Sequence, residues 1–300
     1  MKMRQEFRHM AVGLQSSGKT TFAAALWYLI DSCQVNTALV KGKHSGDHRY
    51  LETLAERWEE GWQVPRTQSL QQETITMNLR DPGSSADIGL RFVDLPGEVF
   101  EKAFATRMLS RGVALAFEQI DNLMLFVSAN DVRDDLTMID FATQAGSNVQ
   151  EDEINEEASE EIKFNPADTP RQVQVVDFLD SIQQPPLSAT LRRIAVIISA
   201  WDKAPDHNDP SRWLREHMPL LDQYLRHTGL DFRIYGVSAQ GGDLPDKDNP
   251  PAKDDLRGFG DQKQLLSLAK ASARLRVVGY GATQHDLTHP VRWLSGLEGE

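Results

Sequence analysis

The stretch "HMAVGLQSSGKTTFAAALWYLI" (residues 9–30) decides how the rest of the chain is read. A short apolar run ends in a glycine, small and polar residues follow with one lysine among them, and an apolar helical segment begins. Gly13-Leu14-Gln15-Ser16-Ser17-Gly18-Lys19-Thr20 matches the spacing of a phosphate-binding loop. The spacing has a physical basis. A loop that wraps phosphates must turn its N–H groups inward, and glycine at both ends permits the dihedrals and the close approach. Lys19 then reaches the β- and γ-phosphates as a point charge, and Thr20 offers a hydroxyl to Mg²⁺. The helix entered through Thr21 aims its positive end at the anion. Ser16 and Ser17 add loop amides. The competing reading is a chance turn before a helix. The strand-like "FRHMAV" before the loop and the buried-helix pattern "FAAALWYLI" after it favour the functional one.

Outward from this loop, the chain alternates short apolar strands with helical patterns. Strands are expected at 73–81, 88–97, 122–131, 193–203 and 232–242, and helices at 47–61, 101–119, 168–183, 211–228 and 261–277. This predicts an α/β fold of three layers: a mostly parallel sheet, helices on both faces, and the 73–81 strand as an antiparallel edge. One domain over residues 1–300 is expected, interrupted by an acidic insertion at about 142–167 and a long polar loop at about 241–260. The acidic "EDEINEEASEE" (151–161) reads as a solvated loop, with a partner-docking segment as the alternative.

Composition narrows the function. The 300 residues carry 32 basic and 44 acidic side chains, net charge −12, which weighs against bulk nucleic-acid binding while leaving room for a local patch. The lone cysteine, Cys33, excludes an internal disulfide and suits a reducing cytoplasm. The first ten residues lack a signal-peptide core, and the run 123–127 is far too short to span a bilayer, so a cytoplasmic protein with no membrane partner is expected. The histidines show no metal-ligand spacing, and His44 with His48 reads as a partly exposed helix face.

Two further anchors follow the loop. Asp94-Leu95-Pro96-Gly97 ends the second strand of a hairpin-like pair. Asp94 there would bind Mg²⁺ through water, and Gly97 would bring an N–H to the γ-phosphate. Glu98 comes next, where it could touch the attacking water. Ser199-Ala200-Trp201-Asp202-Lys203 and Ser238-Ala239-Gln240 end two later strands, at the sheet edge where ligands bind. The Asp202 carboxylate can accept from a guanine N1–H and 2-amino group, and the Ala239 N–H can donate to O6. A second Mg²⁺ ligand in the triphosphate state is Thr67, in a segment with room to close as a switch. The alternative is a solvated loop residue. Arg66 beside it is a weaker candidate for a charge-stabilising finger.

Taken in order, the phosphate loop, D-x-x-G, a degenerate N/T-K-x-D and S-A-x resemble the translation-factor-related class of GTPases. More narrowly, the chain resembles the double-GTPase families of bacterial conflict (anti-phage) systems, with Trp62, Pro65 and Thr67 in "GWQVPRTQ" and the C-terminal "HPVRWLSG" (289–296) similar to that family's segments. The resemblance implies a GTPase using GTP/GDP and Mg²⁺ with a co-encoded protein partner. The loop is also similar to the dynamin type, which implies that Gln15 and Ser16 assist hydrolysis. Departures stand beside it. Ala200 occupies the place of the lysine that packs over the base, Ser199 that of Asn or Thr, and Glu98 that of a water-orienting glutamine. Slow or partner-activated hydrolysis is the expectation from these. An ATPase or broad NTPase on the same fold, and a nucleotide-holding scaffold, stay open as alternatives.

Overall fold

The computed structural model describes residues 6–43, 48–65, 74–93, 103–109, 111–117, 120–130, 169–185, 187–204, 209–252, 254–255 and 257–298. Eight strands form one sheet among them: β1 Glu6–Gly13, β2 Val40–Lys41, β3 Thr74–Arg80, β4 Asp87–Val93, β5 Asn122–Ser128, β6 Arg193–Ser199, β7 Asp231–Ser238 and β8 Arg276–Val278. Their spatial order is β2-β3-β4-β1-β5-β6-β7-β8. The five strands β4, β1, β5, β6 and β7 run parallel, and β3 lies antiparallel to β4 as expected.

The apolar runs read as strands buried on both faces because alternate residues supply different layers. Leu123, Leu125 and Val127 of β5 face one core, with Ile194, Val196 and Ile198 of β6. Met124 and Phe126, with Ala195 and Ile197, face the other. Helices α1 (Lys19–Ser32) and α2 (Arg49–Glu59) contribute Phe22, Leu26, Leu54 and Trp58 to the latter core. Helices α3 (Arg111–Phe117), α4 (Arg171–Gln183), α5 (Pro210–His217) and α6 (Pro219–His227) cover the opposite face through residues such as Phe117, Phe178, Trp213 and Leu221. Two short helices, α7 (Gln262–Leu266) and α8 (His289–Leu294), lie near the C-terminal end, and α8 packs Val291 and Trp293 into the core shared with α1 and α2.

Several expected helices are corrected by local chemistry. The 101–119 pattern breaks at Arg107, which adopts φ 57°, and resumes at Arg111. The 211–228 helix is two helices, because Pro219 has no N–H to donate and pushes Met218 to φ −135°, ψ 59°. Of 261–277 only Gln262–Leu266 is α-helical. A 3₁₀ turn at Ala271–Arg274 follows, and "RVV" then pairs antiparallel with β7, adding a second antiparallel edge. The two-residue β2 carries too little pattern to be read from sequence. His48 is buried, not partly exposed, with its ring 4.8 Å from that of Trp27. The acidic 142–167 region lies outside the described residues.

At the amino-terminal edge of the sheet a polar cluster ties α8 to three strands. His9 (1% exposed) meets the Ser295 hydroxyl at 2.8 Å through Nε2. The Asn122 amide donates to the Leu294 carbonyl, and its oxygen accepts from the Arg193 N–H. Burial, and then the Arg193 charge, push the His9 pKa down to about 3. In the unfolded chain an ordinary histidine titrates near ~6.5. Between those values the unfolded chain takes up a proton that the folded one does not, so stability is present above pH ~6.5 and is lost as pH falls below it. Between pH 6.5 and 5 the wild type should lose about 1.6 kcal/mol more than His9→Gln, the slope rising toward ~1.4 kcal/mol per pH unit as pH falls below ~6.5. Urea unfolding at the two pH values measures this, and equal losses would contradict it.

Candidate functional site

The chain reverses its direction of growth at β1: β4 lies on one side of it and β5 on the other. In open α/β sheets the carboxyl edge at such a point is where ligands bind. The loop 13–20 leaves β1 at that edge. Gly13 is required sterically, since a Cβ there would sit 2.5 Å from the Phe126 carbonyl oxygen and 2.6 Å from Ser17 Oγ. Gly18 adopts φ 86°, and a Cβ on it would lie 2.8 Å from Ser199 Cβ. Ser16 also holds a left-handed φ of 61°, a conformation that bends the loop at a cost of about 1 kcal/mol. Ser16 and Gln15 are exposed at the crest, and Ser17 is buried beneath it.

Lys19 is 6% exposed, and its ammonium donates to the carbonyls of Gly13 (2.8 Å) and Leu14 (3.0 Å) and to Ser17 Oγ (3.4 Å). A buried ammonium is thus held at the mouth of the loop, two carbonyls and a hydroxyl among its partners, where a phosphate can compete for it. Helix α1 starts through Gly18 with no side-chain cap and no acidic residue in its first turn. Its first N–H groups and its dipole suit an anionic partner. Thr20 and Thr21 lie in that first turn, both partly exposed. The loop therefore fits a polyphosphate: two glycines that admit close approach, a held cation and an uncapped helix end.

The second half of the site comes from β6 and β7. Ala200, at φ 51°, turns the chain out of β6 into a 3₁₀ turn, Trp201–Lys203. Trp201 is buried against Gly236, where any Cβ would collide with its ring, and edge-on to Trp213. The indole thus pins the turn and leaves Asp202 exposed above it. The Ser238 hydroxyl donates to Asp202 Oδ1 at 2.6 Å and accepts from the Gly241 N–H at 3.1 Å. Gln240 donates to the Gly242 carbonyl at 2.9 Å, tightening the same turn. Lys203 pairs with Asp243, a hydrogen bond that holds its ammonium above the ordinary lysine range. The two halves touch where Ser199 meets Gly18, and the Ser199 hydroxyl there is buried without a hydrogen-bond partner among the described residues.

The structure thus gathers Gly13, Ser16, Ser17, Gly18, Lys19, Thr20 and Thr21 in one loop and helix start. It sets Asp202, Lys203, Ser238, Ala239 and Gln240 on the same sheet edge. Thr67, Asp94, Gly97 and Glu98, together with Arg66, lie outside the described residues. Sequence reasoning missed Trp58. Its i, i+3, i+4, i+7 relation to Leu51, Leu54 and Ala55 reads as a plain core stripe, yet its indole N–H reaches the Ala239 carbonyl at 2.7 Å.

No curated protein matches the chain. Among solved structures, it is similar to the bacterial selenocysteine-specific elongation factor EF-Sec (14% identity, TM-score 0.39, 80% of this chain and 27% of that one). It is also similar to the BBS3 small GTPase from Trypanosoma brucei with a bound nucleotide analogue (11% identity, TM-score 0.36, 79% of this chain and 88% of that one). The chain spans about a quarter of the elongation factor's length. The Double-GTPase 1 family profile matches residues 10–294, nearly the whole chain, and the chain belongs to that family.

Proposed function

We propose that the chain, acting as one unit in the cytoplasm, binds GTP with Mg²⁺ and hydrolyses it slowly, as a switch read by a co-encoded protein partner in a bacterial defence system. The observation that carries the nucleotide reading is the meeting of two half-sites: the glycine-lined loop holding Lys19, and the Asp202–Ser238 pair beside Ala239. Asp202, fixed by the Ser238 hydroxyl, keeps its other oxygen and remaining lone pairs for the guanine N1–H and 2-amino group, a pattern adenine does not present. The loop amides and Lys19 hold the β- and γ-phosphates. Phosphoryl transfer to water depends chiefly on such positioning and charge neutralisation. Thr20 would ligate Mg²⁺, with Thr67 and Asp94 as the further ligands. When bound, that ion neutralises charge on the phosphate oxygens. Gln15 or Glu98 would orient the attacking water.

Ala200 favours a second reading, a broad NTPase, because no lysine covers the base from that position. Phosphate release from GTP and from ATP, with and without Mg²⁺, separates the two. Slow, Mg²⁺-dependent release from GTP alone is the expected result. Equal release from ATP would favour the broad NTPase, and no release from either, with or without partner, would favour a scaffold.

A further inference from the structure

Strand β7 ends at Ser238, so Ala239 lies just past the last residue of the ladder. Something other than the sheet must set the orientation of its peptides. On one side the Ser238 hydroxyl closes the turn by accepting from Gly241 N–H. On the other, the Ala239 carbonyl accepts from the indole N–H of Trp58, 181 positions away in sequence. Trp58 is fully buried and is held in turn. The Arg274 guanidinium lies 5.2 Å from its ring centroid and donates to the carbonyls of Trp58 and Glu59 at the end of α2. Gln262 donates to the Gly61 carbonyl, and the Gln63 N–H to the Pro245 carbonyl. The end of α2 and the loop after β7 are thereby fastened together along residues 58–63.

We propose that Trp58 is a positioning residue for base recognition: by holding the Ala239 carbonyl it fixes the Ala239–Gln240 peptide, and with it the turn after β7 from which the preceding peptide aims the Ala239 N–H at the oxygen on C6 of the purine. This rests on the guanine reading above. A phenylalanine would fill much of the same apolar space against Tyr28 and Leu54. What it lacks is the donor, and a buried carbonyl without one turns toward any other donor or water, carrying its peptide with it.

The chemistry makes a specific prediction. GTP and ITP both carry the C6 oxygen, and ATP carries an amine there. Trp58→Phe in the full chain should weaken GTP and ITP alike by about tenfold, the cost of one buried hydrogen bond, and leave ATP at its wild-type affinity. A second variant replaces the Trp58 indole with its benzothiophene analogue, which keeps the bicyclic ring and removes only the N–H, so its fold is retained. The measurement is competition of GTP, ITP and ATP against a fluorescent guanine nucleotide, alongside thermal unfolding of each variant. The expected result is the same narrowing of the GTP-to-ATP ratio in both variants. If the three nucleotides weaken together, or only the unfolding temperature falls, Trp58 is a packing residue and the inference is overturned. A wild type that ranks ATP level with GTP overturns the guanine reading itself, and this inference with it.

Discussion

Lys19→Ala weakens triphosphate binding by about a hundredfold or more and leaves the fold in place. The side chain lies at the loop mouth, its ammonium donates to the Gly13 and Leu14 carbonyls and Ser17 Oγ, and Lys19 itself belongs to neither apolar core. A charge-assisted contact to phosphate contributes about 1.5–3 kcal/mol, so one such loss weakens binding by roughly tenfold to more than a hundredfold. Lys19 can contact two phosphates, which sets the expectation toward or beyond the upper end. Binding is measured with a fluorescent triphosphate, and folding by far-ultraviolet circular dichroism and thermal unfolding. Wild-type affinity in a folded variant would contradict the phosphate-loop account.

The loop was legible because its chemistry is local. Eight consecutive residues specify the turn, the cation and the helix start, and the flanking apolar runs specify strand and helix. The parallel strands were legible for a similar reason: "NLMLFVS" and "RIAVIIS" are apolar at every face and too short for helices. The break at Pro219 was local, but the other misreadings depended on contacts distant in sequence. The segment 261–277 has helical composition, yet "RVV" pairs with β7 because Val277 can bury in the core beside Val237. His48 is polar but lies under Trp27. Trp58 is a core residue by period and a polar contact by its tip, and only the fold brings Ala239 to it.

The base half of the site carries the remaining large effect, at Asp202. Its carboxylate is oriented by the Ser238 hydroxyl at 2.6 Å and offers acceptors only. An amide in its place offers one acceptor and one donor. Guanine carries an amine at the position where xanthine carries a carbonyl, so Asp202→Asn should lose GTP and gain XTP. Each mismatched buried polar group costs about 1–3 kcal/mol, which places the shift in relative affinity at roughly tenfold to several hundredfold. Ala200, whose side chain is too short to pack over a base, would hold the shift toward the lower figure. The most direct test of guanine recognition is therefore one competition titration of GTP, XTP and ATP against a fluorescent nucleotide, run on wild type and Asp202→Asn with Mg²⁺ present. The account predicts GTP first for the wild type and XTP ahead of GTP for the variant. An unchanged ranking between the two proteins, or ATP level with GTP in the wild type, would contradict it.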